Sequence, residues 1–317
     1  MRIVFCGHNA RGYRCLETIS KNLNFDVCLV VTHPKSDQKY SHRSVYDLSR
    51  TLGYPTISPE NVNSKEVLDT IREMTPDVIV LAGYGKIVKG DFLRIPHTMT
   101  VNLHGGKLPN YRGSSPINWM IINGETKGAA SILEVDEGID TGGVISYEEF
   151  DIFDNDDAKS ILEKTLDIFP RLLEKTLLSI KDNNSQIKTQ DNSRARYFPV
   201  RTPNDGIILW DSMTSLEVFN LVRALVDPYP NAFSFYKGTK IYITEVELYN
   251  EEKVYGIPGK VGLSKGDGVL VMCKDQAVLV KTVKFEGDLK PICARGALIR
   301  NESFSSIRTI LLKGGCL

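Results

Sequence analysis

The feature that most limits the fold is a rhythm in the first third of the chain. Short apolar runs at 3–6, 27–31, 55–57 and 78–81 are separated by stretches around 12–19, 44–52 and 67–74 whose apolar positions keep helical spacing. Strands spaced this way cannot be joined by tight turns. They need crossover connections, and helical crossovers make a parallel sheet with helices on both faces. Ligands of such sheets sit beyond the carboxyl ends of the strands. His8, His33 and Tyr84 fall at those ends, with Asn9 and Arg11 beside the first.

A fifth run at 99–103 feeds a Gly- and Pro-rich stretch at 104–113, and Ser115-Pro116 opens a helix to 122, Ser being a good cap and Pro suiting a first turn. Two further strands, 130–135 and 144–150, flank a turn at 136–143. A long helix is expected over 157–180, kinked or split at Pro170. Residues 181–196 are polar, and beyond a helix at 215–225 come short alternating runs at 232–236, 240–248, 260–263, 269–273 and 277–283. That pattern predicts a small β-barrel of the OB-like kind. The expected organisation is a Rossmann-like α/β domain at 1–190, a linker at 191–206 and a β-rich barrel domain at 207–317.

The charge balance narrows the partners. Lys plus Arg and Asp plus Glu each number 39 in 317 residues, so the chain lacks the basic surplus that a general grip on nucleic acid or an anionic membrane needs. The six cysteines form no CxxC pair and do not cluster with His, which argues against a zinc site or redox dithiol and suits a reducing cytoplasm. The amino-terminal residues lack the pattern of a secretion signal, and no stretch approaches the roughly 20 apolar residues of a membrane span. A cytoplasmic location is therefore expected. No Walker loop, GxGxxG, HExxH or GxSxG occurs, so the usual nucleotide cradles and two hydrolytic motifs are absent.

What stands out is a polar pair at a strand end, Asn102 and His104, and Asp140 in the later turn. Residues two apart on a strand face the same way. An amide NH2 there can donate to a developing oxyanion, a neutral imidazole can take a proton, and a carboxylate can orient that imidazole. Spacing alone leaves another reading open: an Asn bonding a neighbouring turn, a packed His and a surface Asp.

Asn102-Leu103-His104-Gly105 followed by Leu108-Pro109-Asn110-Tyr111-Arg112-Gly113, with Asp140-Thr141-Gly142 downstream, resembles the signature of the N10-formyltetrahydrofolate-dependent formyltransferases. Within that family, 59–63, 116–126, Arg201-Thr202-Pro203-Asn204-Asp205 with Trp210, and 222–230 are most similar to sugar N-formyltransferases, notably the domain acting on UDP-4-amino-4-deoxy-L-arabinose. The likeness runs to about residue 236, departs at Gly105-Gly106-Lys107, and includes no dehydrogenase-like half, so a stand-alone transferase is expected.

The resemblance implies roles. Asn102 would bond the formyl oxygen, His104 would take the proton of the attacking amine, and Asp140 would support His104 and proton delivery to the folate. The reduced folate would lie along Tyr84, Gly85, Lys86, Ile87 and Val88 and the turn with Asp136 and Gly138, with no metal required. A sugar amine resembles an α-amino group of pKa about 7.7–8.0, partly neutral at pH 7, and an unperturbed imidazole near pKa 6.5 suits the task. The acceptor implied is a nucleotide-linked amino sugar, with UDP and a 4-amino sugar favoured. Arg201 would meet its diphosphate, Asn204 and Asp205 its base or ribose, and His8, Asn9 and Arg11 would border the sugar. Trp210 and Tyr229 read as core aromatics.

A methionyl-tRNA formyltransferase is the first alternative, opposed by the zero net charge and by basic stretches that are only modest at 34–43 and at Arg194, Arg196 and Arg201. A catalytically inactive folate or sugar-nucleotide binding protein is the second. Membrane association is not expected, and the family's habit of pairing implies a homodimer.

Overall fold

The computed structural model describes residues 1–34 and 44–306. Most of the mildly basic 34–43 stretch, and the end of the expected barrel domain from 307, lie outside the described residues.

Strands β1 (Arg2–Gly7), β2 (Asp26–Thr32), β3 (Thr56–Ile57), β4 (Val78–Ala82) and β5 (Met99–His104) alternate with helices α1 (Asn9–Ile19), α2 (Val45–Thr51), α3 (Lys65–Glu73) and α4 (Gly90–Leu93). After β6 (Arg112–Gly113) and α5 (Pro116–Ile122) come β7 (Lys127–Glu134) and β8 (Val144–Asp151). One seven-stranded sheet runs β3-β2-β1-β4-β5-β7-β8. The first five strands in that order pair in parallel, and β7 and β8 add on antiparallel.

Period two sorts the side chains of β1 between two cores. Ile3 and Phe5 join a cluster with Leu16 and Ile19 of α1, while Val4 and Cys6 join one with Val67, Leu68 and Ile71 of α3. Burial on both faces is why these strands read as unbroken apolar runs. Helix α6 (Ala158–Lys181) places Phe169, Leu172, Leu173 and Leu177 in the first cluster. It runs unbroken through Pro170, where a kink or break was expected. Pro170 removes one backbone donor, but the buried residues on either side of it hold both adjoining turns to the core.

By contacts the chain divides into two units, one comprising 1–116, 127–151 and 162–199, the other 117–126, 152–161 and 200–317. The expected linker is thus not free in its first nine residues, 191–199. β9 (Tyr197–Phe198) pairs with β6, and Lys188 exchanges backbone bonds with Val144. Polar composition there reflects exposed side chains on a backbone that is already paired.

In the second unit α7 (Ser215–Ala224) starts on a capping box in which Thr214 and Glu217 bond each other's main chain. The antiparallel sheet orders β10 (Ala232–Tyr236), β11 (Thr239–Leu248), β14 (Ala277–Phe285), β13 (Gly268–Met272) and β12 (Val261–Lys265), with β15 (Ile292–Cys293) against β14. The segment after α8 (Ala294–Ala297) bridges the outer strands: Phe304 pairs with Tyr236 at the end of β10, and Ser303 with Lys260 ahead of β12. One short segment thus bonds near both edges of the antiparallel sheet, which agrees with the β-rich second domain expected. Trp210 is buried and donates its indole N–H to Ser234 Oγ at 3.0 Å, so it is a core aromatic.

Candidate active site

β5 carries the site because its end lies where the sheet changes direction. Asn102 sits opposite Leu81 of β4 and Leu133 of β7, and His104 opposite Ser131. Leu103 turns into the core, leaving Asn102 and His104 on the other face. Both meet Asp140, although 36 residues separate it from His104 (140 − 104). Asn102 Nδ2 donates to Asp140 Oδ1 at 3.4 Å, and His104 Nδ1 lies 3.4 Å from Oδ2. Gly113 N–H donates to that same Oδ2 at 2.8 Å.

Asp140 adopts a left-handed backbone, φ +52°, which side chains other than Gly, Asn and Asp seldom occupy. Its turn is tightly made. Asp136 Oδ1 accepts from Gly138 N–H and from the Thr141 hydroxyl, and a Cβ at Gly142 would come within 1.9 Å of the Glu134 carbonyl oxygen. The buried amide of Gln190 then donates to the carbonyls of Asp140, at 2.8 Å, and Gly142, at 2.6 Å.

His104 is buried, and its Nε2 lies 2.5 Å from the Tyr111 carbonyl. A carbonyl only accepts, so Nε2 carries the proton and Nδ1 is left with a lone pair facing Asp140. Burial pulls the His104 pKa below its ordinary value despite the opposing pull of Asp140 and the Tyr111 carbonyl, and the Arg11 charge acts in the same direction as burial. The expected unperturbed imidazole is therefore corrected: loss of hydration outweighs the carboxylate. A neutral Nδ1 beside a carboxylate can take a proton and have the resulting cation balanced.

Asn102 and Asp140 also form one wall of a cavity of about 190 Å³, closed by Tyr84, Lys86, Ile87 and Val88 after β4 and by Asp136, Gly138 and Ile139 of the turn. Gly85 belongs to the same loop but is not among the lining residues. Lys86 directs its ammonium to the carbonyls of Pro59 and Glu60, leaving backbone to line the cavity. The buried Tyr84 hydroxyl has no hydrogen-bond partner among the described residues, and burial raises its pKa. Among those residues no group of three His, Cys, Asp or Glu side chains could hold a metal ion.

The other candidates are engaged in contacts of their own. His8 stacks on His33 with ring centroids 4.2 Å apart, and Asn9 is exposed at the start of α1. Arg11 donates to the Leu103 carbonyl at 3.1 Å and lies over the Phe169 ring. In the second unit Arg201 is half-buried over the Trp119 ring, 4.7 Å from its centroid, and donates to the Asp205 carbonyl at 2.7 Å. The Asp205 carboxylate caps its own turn by accepting from Thr202, while Asn204 is exposed.

Three groups around the triad escaped the sequence reading: the Tyr111 carbonyl, the Gly113 N–H and Gln190. Main-chain groups leave no residue-type signature, and Gln190 sat within the polar run 181–196, at the very end of the expected α/β domain, with nothing to set it apart from its neighbours.

A sequence profile of the formyl transferase family matches residues 1–177, and one of the formyl transferase C-terminal domain matches 201–294. The methionyl-tRNA formyltransferase of Acetivibrio thermocellus is 34% identical over 290 residues, 90% of this chain and 92% of that protein. The bifunctional polymyxin resistance protein ArnA of Wigglesworthia glossinidia brevipalpis is 30% identical, over 99% of this chain and 49% of that protein. Among solved structures, an N-formyltransferase from Helicobacter canadensis in complex with folinic acid and dTDP-3-aminofucose is similar in fold, with a TM-score of 0.66 at 21% identity, covering 88% of this chain and 98% of that one.

Proposed function

The chain belongs to the formyl transferase family, whose members take a formyl group from N10-formyltetrahydrofolate, and on that premise we propose that it formylates the primary amine of a nucleotide-linked amino sugar. The donor supplies an activated formyl carbon and leaves as tetrahydrofolate. The cavity beside Asn102 and Asp140 is of a size for the pterin end of a reduced folate: loop backbone at 86–88 can match the donors and acceptors of a pterin edge, and the unpartnered Tyr84 hydroxyl waits for a polar group.

Asn102 Nδ2 donates to the formyl oxygen as it gains charge, and His104 Nδ1 takes the proton released as the C–N bond forms. Asp140 balances the imidazolium and, in this reading, passes the proton on to the departing folate nitrogen. Metal is not needed for any of these roles.

The observation that carries the sugar reading is the setting of Arg201. It is a single recessed guanidinium spread over Trp119, with a buried Nε that has no hydrogen-bond partner among the described residues. One pre-set fork suits a diphosphate, whereas a nucleic-acid backbone requires a run of cations. UDP and a 4-amino sugar remain the favoured specifics. The second reading is methionyl-tRNA as acceptor, favoured by the name of the relative at 34% identity.

The test incubates purified protein with N10-formyltetrahydrofolate and, separately, UDP- and dTDP-linked amino sugars or charged initiator tRNA. Tetrahydrofolate release and a formyl mass on a sugar nucleotide support the proposal. Release with the tRNA alone replaces it with the second reading, and release with neither amine removes the transferase reading of this site.

A further inference from the structure

Arg112 is among the most buried side chains of the first unit, 1% exposed, yet no carboxylate pairs with it among the described residues. A buried cation with only neutral partners is expensive, so its geometry needs a reason. Its Nε and Nη2 both donate to Gln190 Oε1, at 3.1 and 3.0 Å. Nη2 also reaches Asn192 Oδ1 at 2.8 Å, and Nη1 the Tyr197 hydroxyl at 2.7 Å.

A guanidinium has donors and no acceptor. It therefore dictates which way the Gln190 amide points: Oε1 must face Arg112, and the NH2 must face away. That NH2 lands on the carbonyls of Asp140 and Gly142. One is the carbonyl of Asp140 itself and the other lies two residues on, so both pin the main chain directly after the left-handed residue Asp140, a conformation that persists only where its surroundings over-determine it. The residues next to Arg112 complete the arrangement, with Tyr111 O on His104 and Gly113 N–H on the Asp140 carboxylate.

We infer that Arg112 and Gln190 are a positioning pair for the transfer reaction: Arg112 fixes the Gln190 amide, and Gln190 holds the main chain of Asp140 so that its carboxylate stays between Asn102 and His104. The pair rests on the role given to Asp140 above and touches no reacting atom itself.

Gln190→Glu tests it. The introduced carboxyl keeps the size and the acceptor facing Arg112, gains an ion pair there, and loses both donors to the Asp140 and Gly142 carbonyls. The expected result is a folded protein with a melting temperature at or above that of the native chain. Its kcat should fall between about ten- and a hundredfold, the scale of a misplaced catalytic group, with KM for the formyl donor within about twofold. Gln190→Met, uncharged and of similar length, is the second variant should the first not fold, and the same split between kcat and KM is expected.

A folded variant of either kind with native kcat overturns the positioning pair. So does an apparent loss of kcat that vanishes once rates are normalised to the folded, active fraction, which is what a merely structural residue would give. Asp140→Ala, assayed alongside, separates the two levels. If it retains activity, the reading of the site itself fails. If it is inactive while the Gln190 variants are not, only the pair fails.

Discussion

Two polar centres of the chain are built in contrasting ways. Around Asp140, both carboxylate oxygens and the main-chain oxygen are engaged, by Asn102, His104, the Gly113 N–H and Gln190. Around Arg201, the guanidinium rests on an aromatic face, and its buried Nε has no hydrogen-bond partner among the described residues. The first holds Asp140 fixed on every side and leaves for the reaction only the second N–H of Asn102 and the Nδ1 lone pair of His104. The second keeps an unspent donor. The difference is that between holding reacting groups still and gripping a substrate, and it predicts that damage to the two centres will show in different kinetic constants.

The largest effect is expected at His104. His104→Ala removes the proposed base, and kcat should fall by about 10²–10⁴, the usual contribution of general base catalysis, while circular dichroism stays native. Retained turnover would make the closed centre structural rather than catalytic. Asn102→Ala removes one oxyanion donor, and a loss of about 10²–10³ in kcat is expected, again with little change in KM. At the open centre the pattern should invert. Arg201→Ala is expected to raise KM for the nucleotide sugar by about ten- to a hundredfold, as befits one charged hydrogen bond, with kcat within about twofold. If kcat falls and KM does not, the distinction between the centres is lost.

A smaller effect concerns pH. Because burial lowers the His104 pKa, the imidazole stays neutral as pH falls through its ordinary value of about 6.5, so the acid limb of kcat should lie below that pH. Asp140 pulls the other way, by favouring the charged ring. Asp140→Asn should therefore move the His104 titration seen by NMR to still lower pH, and a rise would reverse the balance drawn here. Tyr84→Phe should show least: it removes a hydroxyl with no internal partner, so stability should hold while KM for the formyl donor rises roughly three- to tenfold.

How far these centres could be read in the sequence depends on the distance over which each is assembled. The alternation of runs through 78–81 is local, and it announced the parallel sheet. The shared face of Asn102 and His104 is local too, and period two sufficed for it. Asp140 joins them from a turn two strands away in the chain, and only the likeness to a known signature connected it. Gln190 was lost because its partners are Arg112, 78 residues earlier, and the carbonyls of Asp140 and Gly142. No local pattern distinguishes a polar residue in a free linker from one whose amide is fixed at both ends. The burial of His104 was likewise hidden, since solvent exclusion arises from the loop folding over it. The split expected at Pro170 is absent for a related reason, because a local helix breaker is outweighed by packing contributed from the distant strands.

The pairing of Tyr236 with Phe304 has a consequence for biosynthesis. The ribosome delivers β10 well before the segment that bonds to it, so for the interval of that delay the nascent second unit presents two unsatisfied strand flanks to its surroundings. The first unit has no such wait: the strands of its main sheet are all complete by Asp151. Premature termination ahead of residue 301 should therefore spare the α/β portion and turn the remainder into a sticky, chaperone-dependent fragment.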